Sequence, residues 1–228
     1  MTSDGSRGST VPARRVLIVE DHSILTESLR LALRLEGMEP HVASGLDEGS
    51  VFDDARRLDV DVVLLDLHLT GGRSAVPMIG PLVAAGVRVL VLTGSADEGL
   101  QGAALHAGAT AVLHKGQSLE QLCQGIHDVV DGHAAIRPAR RDELLVHGRE
   151  RMVLERRLAS LSPRERDVLA ALLEGVPAET IAELQFVSIG TIRTHIRAIL
   201  RKLEVGSQLA AVAAAREAGW SAAATAAQ

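Results

Sequence analysis

Apolar residues recur along the first 130 positions in two alternating rhythms. Short β-branched or apolar runs, "RVLIVE" at 15–20, "VDVVLLD" at 60–66 and "VRVLVLT" at 87–93, read as strands. Weaker strands are predicted at "MEPHVA" and at residues 110–114. Between them, residues 23–36 carry Leu25, Leu29, Ala32 and Leu35 on one helical face. Further helices are predicted at 47–57, 74–85, 96–107 and 118–130, the second of these disturbed by Pro77 and Pro81. Five strands interleaved with five helices predict an α/β domain with a doubly wound parallel sheet. The near-continuous apolar run Val62-Val63-Leu64-Leu65 suits a strand covered by helices on both faces.

The rhythm changes after residue 131. Residues 132–157 are Arg-rich, lack a strand pattern and read as a linker, helical from about 140 onward to 159. Such a charged, partly amphipathic helix is expected either to be solvated or to pair with a second copy of itself. Residues 158–219 are all helical in pattern. Ser162, Pro163 and Glu165 form an N-terminal signature that leads to a stop at Gly175. Helices are then predicted at 178–184, at 189–203 after the cap Ser188, and at 207–218. Residues 1–13 and 220–228 are expected to be flexible tails.

Composition narrows the class. Aromatics are limited to Phe52, Phe186 and Trp220, so Leu, Val, Ile and Ala must build the cores. Cys123 is the single cysteine, which excludes a disulfide framework and a thiolate metal cluster and fits a reducing compartment. The start lacks the apolar core of a signal peptide, and no run approaches the roughly 18 apolar residues of a membrane span. A cytoplasmic protein with no membrane partner is expected. Residues 1–135 hold 18 acidic and 10 basic residues, whereas residues 136–228 hold 11 and 14. An acidic half joined to a weakly basic half suggests two domains with different partners.

The predicted strand ends carry the chemistry. In open parallel sheets the binding crevice lies at the carboxyl ends of the strands. Glu20 and Asp21 stand there on the first strand, Asp66 on the third, Thr93 on the fourth, and Lys115 just after the fifth. An Asp closing an apolar strand is costly unless it is needed there. Three carboxylates in one crevice call for a cation, and hard oxygen donors suit magnesium. A carboxylate could then attack a phosphoryl group while the metal and Lys115 balance charge. A lone strand-end Asp would more often cap a helix; the constellation argues otherwise. His22 and His68 border the crevice, but no paired-His helix motif supports a transition-metal site. His114 should point away from Lys115 by strand alternation, and Cys123 should pack against the sheet.

On residues 189–203, Ile192, Ile196, Ile199, Leu200 and Leu203 form an apolar stripe. Thr194, Arg197 and Arg201 lie opposite, with Arg193 at the edge. A helix buried on one side and cationic on the other, preceded by a short helix and a turn, has the layout of helix-turn-helix DNA recognition.

The set Glu20-Asp21, Asp66, Thr93 and Lys115, with "AGATAVLHK" before the lysine, resembles the flavodoxin-like receiver domain of two-component response regulators over residues 14–131. The resemblance implies that Asp66 is the phosphoacceptor. It implies that Asp21, Asp66 and the backbone carbonyl of His68 ligate Mg2+, with Glu20 acting through water. Thr93 and Lys115 would bind the phosphoryl group. "LSPRERDVLAALLEG" and "GTIRTH" resemble the LuxR-type helix-turn-helix, a four-helix domain. There Arg193, Thr194 and Arg197 would face bases, and Thr191, His195 and Arg201 would lie nearer the DNA backbone. The two together resemble NarL/FixJ-type response regulators, which implies a histidine kinase as phosphoryl donor, double-stranded DNA as target and a homodimer on DNA. It implies no enzyme beyond the receiver's own phosphorylation and dephosphorylation. A phosphatase of the haloacid-dehalogenase type wants a second Asp two residues on, where His68 stands. The sequence departs from the family at Thr70 and Ser74 in the loop after Asp66, and at Val112, where an aromatic is usual. These departures leave open an atypical regulator that responds to a ligand or partner instead of phosphorylation.

Overall fold

The computed structural model describes residues 13–69 and 73–220. It divides into two units, Met1–Gly148 and Arg149–Gln228. Thr70 and all but residues 13 and 220 of the expected flexible tails, 1–13 and 220–228, lie outside the described residues.

The first unit is built on five parallel strands, β1 (Arg15–Val19), β2 (Glu39–Val42), β3 (Val62–Asp66), β6 (Arg88–Thr93) and β7 (Ala111–His114), in the order β2-β1-β3-β6-β7. A short antiparallel pair, β4 (His68–Leu69) and β5 (Arg73–Ser74), follows β3. Five helices connect the strands: α1 (Ser23–Leu35), α2 (Glu48–Arg57), α3 (Val76–Ala84), α4 (Glu98–His106) and α5 (Leu119–Val130). Every residue of β3 is buried, as expected for the centre of a sheet covered on both faces. Alternate β3 residues enter opposite cores. Val63 and Leu65 pack with α2, α3 and α4, whereas Val62 and Leu64 pack with α1 and α5. Cys123 belongs to the second of these clusters. Pro40 lies in β2, an edge strand, where its missing N–H costs least. The prolines shape α3 as anticipated: Pro77 sits in its first turn, which starts at Val76, and Pro81 lies on an exposed position.

Residues 132–137 lead into α6 (Pro138–Ala159). Its N-terminal half is solvated over much of its surface and packs one side on the first unit. Leu144 is buried in the α2–α3–α4 core of the first unit. The reason is a close helix–helix approach at Gly102 of α4 and Gly148 of α6, where neither backbone carries a side chain to hold the other off.

The second unit comprises the last turns of α6, α7 (Pro163–Leu173), α8 (Ala178–Leu184), α9 (Ile189–Leu203) and α10 (Gln208–Glu217). Ser162 and Glu165 form a reciprocal capping box at the start of α7. Ile192, Ile196, Ile199 and Leu203 of α9 are buried with Val168, Leu169, Ile181 and Ala211. Leu200 and Ile189 pack at the edge of this core, which accounts for an apolar residue at the start of α9. Trp220 also packs against it, and its backbone N–H donates to Ala215 O at 2.9 Å. Among the described residues no helix is long and apolar enough to cross a membrane.

Candidate functional sites

Parallel strands deliver their carboxyl ends to one rim of the sheet. Asp66 closes β3 and is 2 % exposed, in register opposite Leu92 of β6. Glu20 follows β1 and is also buried. Lys115 follows β7, and its N–H donates to Thr93 O at 2.8 Å, which ties it to the end of β6.

These ties bring the side chains together. Lys115 Nζ lies 2.6 Å from Glu20 Oε2 and 2.8 Å from Asp66 Oδ2. Burial alone would depress the Lys115 ammonium. The hydrogen bonds and charges of Asp66 and Glu20 outweigh that penalty and hold its pKa above the usual lysine range. The His68 backbone N–H donates to Asp66 Oδ1 at 3.2 Å, an interaction that orients the carboxylate. His68 itself is exposed. Thr93 is completely buried, and its Oγ1 accepts from the Ser95 N–H at 3.0 Å.

Glu20, Asp21, His22 and Asp66 each place one ligand atom within 4.8 Å of the others. Three carboxylates against one ammonium leave an excess of negative charge in a largely buried rim. That donor set fits a hard divalent cation held through oxygen. His22 was absent from the expected ligands. Its Nδ1 lies 2.8 Å from Glu20 Oε1 and 2.8 Å from Asp21 Oδ1. The hydrogen bond to Glu20, then the charges of Asp21 and Glu20, raise its pKa. Its partners are carboxylates one and two residues away, not a second histidine. His114 Nδ1 accepts from the Gly116 N–H at 3.0 Å, on an exposed position. Of the departing loop residues, Ser74 accepts from the Val76 N–H at 3.3 Å, and Val112 is half-buried against the α2–α3–α4 core.

The second candidate surface is the outer side of α9. Thr191, Arg193, Thr194, Arg197 and Arg201 are exposed, whereas His195 is half-buried. Ser188 Oγ accepts from the Thr191 N–H at 3.1 Å, so the helix start is fixed. Thr194 Oγ1 donates back to Gly190 O at 2.9 Å. Arg193 Nη2 lies 3.8 Å from Glu179 Oε1 on α8, a loose exposed pair. Lys202 differs from the other cations of α9. Its Nζ donates to Glu165 Oε2 at 2.6 Å and to Ser160 O at 3.0 Å, so it braces the fold. Burial would raise the Glu165 pKa, but Lys202 and the Ser162 N–H together lower it.

Residues 16–127 match the response regulator receiver domain family, and residues 159–215 match the LuxR family of bacterial regulatory proteins. The nitrate/nitrite response regulator protein NarP of Escherichia coli is 35% identical, over 86% of this chain and 92% of its own. The transcriptional regulatory protein DesR of Bacillus subtilis is 27% identical, over 90% of this chain and 98% of its own. The structure of the response regulator RcsB bound to DNA superposes with a TM-score of 0.52 at 21% identity, over 90% of this chain and 98% of that one. That likeness shows the shared fold.

Proposed function

Because the chain belongs to the NarL/FixJ-type response regulators, and is a phosphorylation-controlled transcriptional regulator, we propose that Asp66 accepts the phosphoryl group and that α9 reads DNA. In this reading residues 14–131 act as the receiver, 132–157 as a linker and 158–219 as the DNA-binding domain. The observation that carries it is the Lys115 ammonium held 2.8 Å from the Asp66 carboxylate at the end of β3.

The Asp66 carboxylate attacks a phosphoryl group presented on a histidine kinase. A P–O bond forms as the P–N bond breaks, and the imidazole leaves with a proton. Lys115 keeps its charge and pairs with a phosphoryl oxygen, and the Thr93 hydroxyl binds another. Asp21, Asp66 and the His68 carbonyl would hold Mg2+, with Glu20 acting through water, and the ion would supply charge neutralisation. The same groups let the receiver speed its own phosphorylation from small donors and its own dephosphorylation. On α9, Arg193, Thr194 and Arg197 face bases, and Thr191, His195 and Arg201 lie nearer the DNA backbone. Two copies of the chain bind a two-fold-related site.

The experiment is magnesium-dependent labelling by acetyl phosphate, followed by intact mass. Wild type gains one phosphoryl group and Asp66→Asn gains none. Equal labelling of the two rejects the assignment.

A further inference from the structure

Most helices of this protein close in a common way. Gly37, Gly86, Gly108, Gly132, Gly175 and Gly219 follow α1, α3, α4, α5, α7 and α10 with positive φ, a left-handed conformation open to a residue without a side chain. Asp59 after α2 and Glu204 after α9 adopt it too, at φ of 49° and 56°. Each of those side chains pairs with an arginine, Arg15 and Arg157 respectively. α8 closes on Phe186, at φ of 54°. The turn itself is fully bonded. The Phe186 N–H donates to Glu183 O at 3.2 Å, and the Val187 N–H donates to Ala182 O at 3.0 Å. The Phe186 side chain gains nothing within the fold, since it is 95 % exposed.

A bulky residue in that conformation is costly, and glycine or asparagine would close α8 at less cost. The chain holds two Phe, one Trp and no Tyr, so an aromatic side chain is scarce. Phe52 and Trp220 pack against the cores. Phe186 is the aromatic that packing does not use. Its neighbours widen the apolar surface: Leu184, the last residue of α8, and Val187 are exposed as well. A strained residue with its side chain left open points to a ligand rather than to packing.

The chain that follows identifies that ligand. One residue separates Phe186 from Ser188, which caps α9. Thr191, Arg193 and Thr194 come next and are exposed. A recognition helix presents its N-terminal residues to base edges, which puts the turn before α9 at the rim of the groove. A ring without a polar atom has nothing to offer a phosphate. It can cover the methyl group of a thymine or the carbon face of a deoxyribose.

We propose that Phe186 is a DNA-contact residue, its ring laid on a thymine methyl or a deoxyribose at the edge of the site that α9 reads. The inference rests on the reading of α9 as the DNA-reading helix. The left-handed phenylalanine destabilises the free protein, and DNA that covers the ring offsets that cost.

The test is titration of DNA selected by the wild-type full chain, at several salt concentrations, with thermal unfolding of the same proteins. Phe186→Asn relieves the backbone and removes the ring. It is expected to raise the unfolding midpoint and yet to weaken DNA binding at least about fivefold, the effect of uncovering about half a phenylalanine side chain. The loss should be the same at every salt concentration, because an apolar contact releases no counterions. Phe186→Tyr keeps both the ring and the strain and should bind as wild type does. Deoxyuridine in place of thymine tells the two apolar groups apart. A loss in wild type that Phe186→Asn does not share puts the ring on a thymine methyl, and an equal loss in both puts it on a deoxyribose. Unchanged affinity in Phe186→Asn, with Arg197→Ala weakened, overturns this proposal and leaves α9 as the reader. Unchanged affinity in both variants overturns the two together. Weaker binding by Phe186→Asn with a lowered unfolding midpoint marks damage to the fold and also overturns the proposal.

Discussion

Lys115 Nζ sits between Glu20 Oε2 and Asp66 Oδ2, at 2.6 and 2.8 Å, so one ammonium joins the ends of two strands. The two carboxylates are almost fully buried, and Lys115 is the cation that makes their charge tolerable. Lys115→Met should therefore cost about 3 kcal/mol of stability, as expected for one partner removed from a buried ion pair. Mg2+ should restore more stability to this variant than to wild type. Urea unfolding with and without Mg2+ measures both, and an equal Mg2+ effect on the two proteins would argue against the metal site.

Asp54 makes the first unit sensitive to acid. It accepts from the Ser44 N–H at 2.6 Å and pairs with Arg57 Nη2 at 2.6 Å, which lowers its pKa to about 2. The folded value is depressed, so the stabilisation is complete above the unfolded pKa of about 3.9 and is lost as pH falls through the folded value. Asp54→Asn should remove about 2 kcal/mol at neutral pH, and the gap to wild type should close between about pH 4 and pH 2. Unfolding free energies measured across that range check it.

Much of the site is legible in the sequence because topology does the work. Once five strands are known to run parallel, Asp21, Asp66, Thr93 and Lys115 must share a rim, whatever lies between them. The basic side of α9 is legible for a similar reason, since Ile192, Ile196 and Ile199 fix which side is buried. The helix over residues 140–159 is legible, but the packing of residues 138–148 on the first unit is not. Leu144 inserts into the core while Val146 is exposed, and the contact that permits this joins Gly102 to Gly148, distant in sequence and marked by no local pattern. The bracing role of Lys202 is not legible because its partner Glu165 is supplied only by the fold.

Arg197 and Lys202 separate two roles on one helix. Arg197 is exposed, whereas Lys202 is bonded to Glu165. Arg197→Ala should cost about 1–3 kcal/mol of affinity on preferred DNA, with little loss of stability. Lys202→Met should do the reverse and cost about 2 kcal/mol of folding stability, since it removes charge-assisted hydrogen bonds from a largely buried carboxylate. DNA titration and thermal unfolding of both variants test the division.

Phe186, in the turn between α8 and α9, holds φ of 54° and is 95 % exposed. A bulky side chain gains no packing there and tolerates the left-handed conformation poorly. Phe186→Asn should stabilise the helical unit by about 1 kcal/mol. A raised unfolding midpoint is the expected result.

The central claim is that phosphorylation at Asp66 governs DNA binding. It is tested most directly by titrating DNA selected for binding with fully phosphorylated wild type and with Asp66→Asn, under one salt condition. The phosphorylated protein should bind between about fivefold and a hundredfold more tightly, the usual span of coupling between two sites. Equal affinities, with Asp66 verified as labelled, would contradict the account.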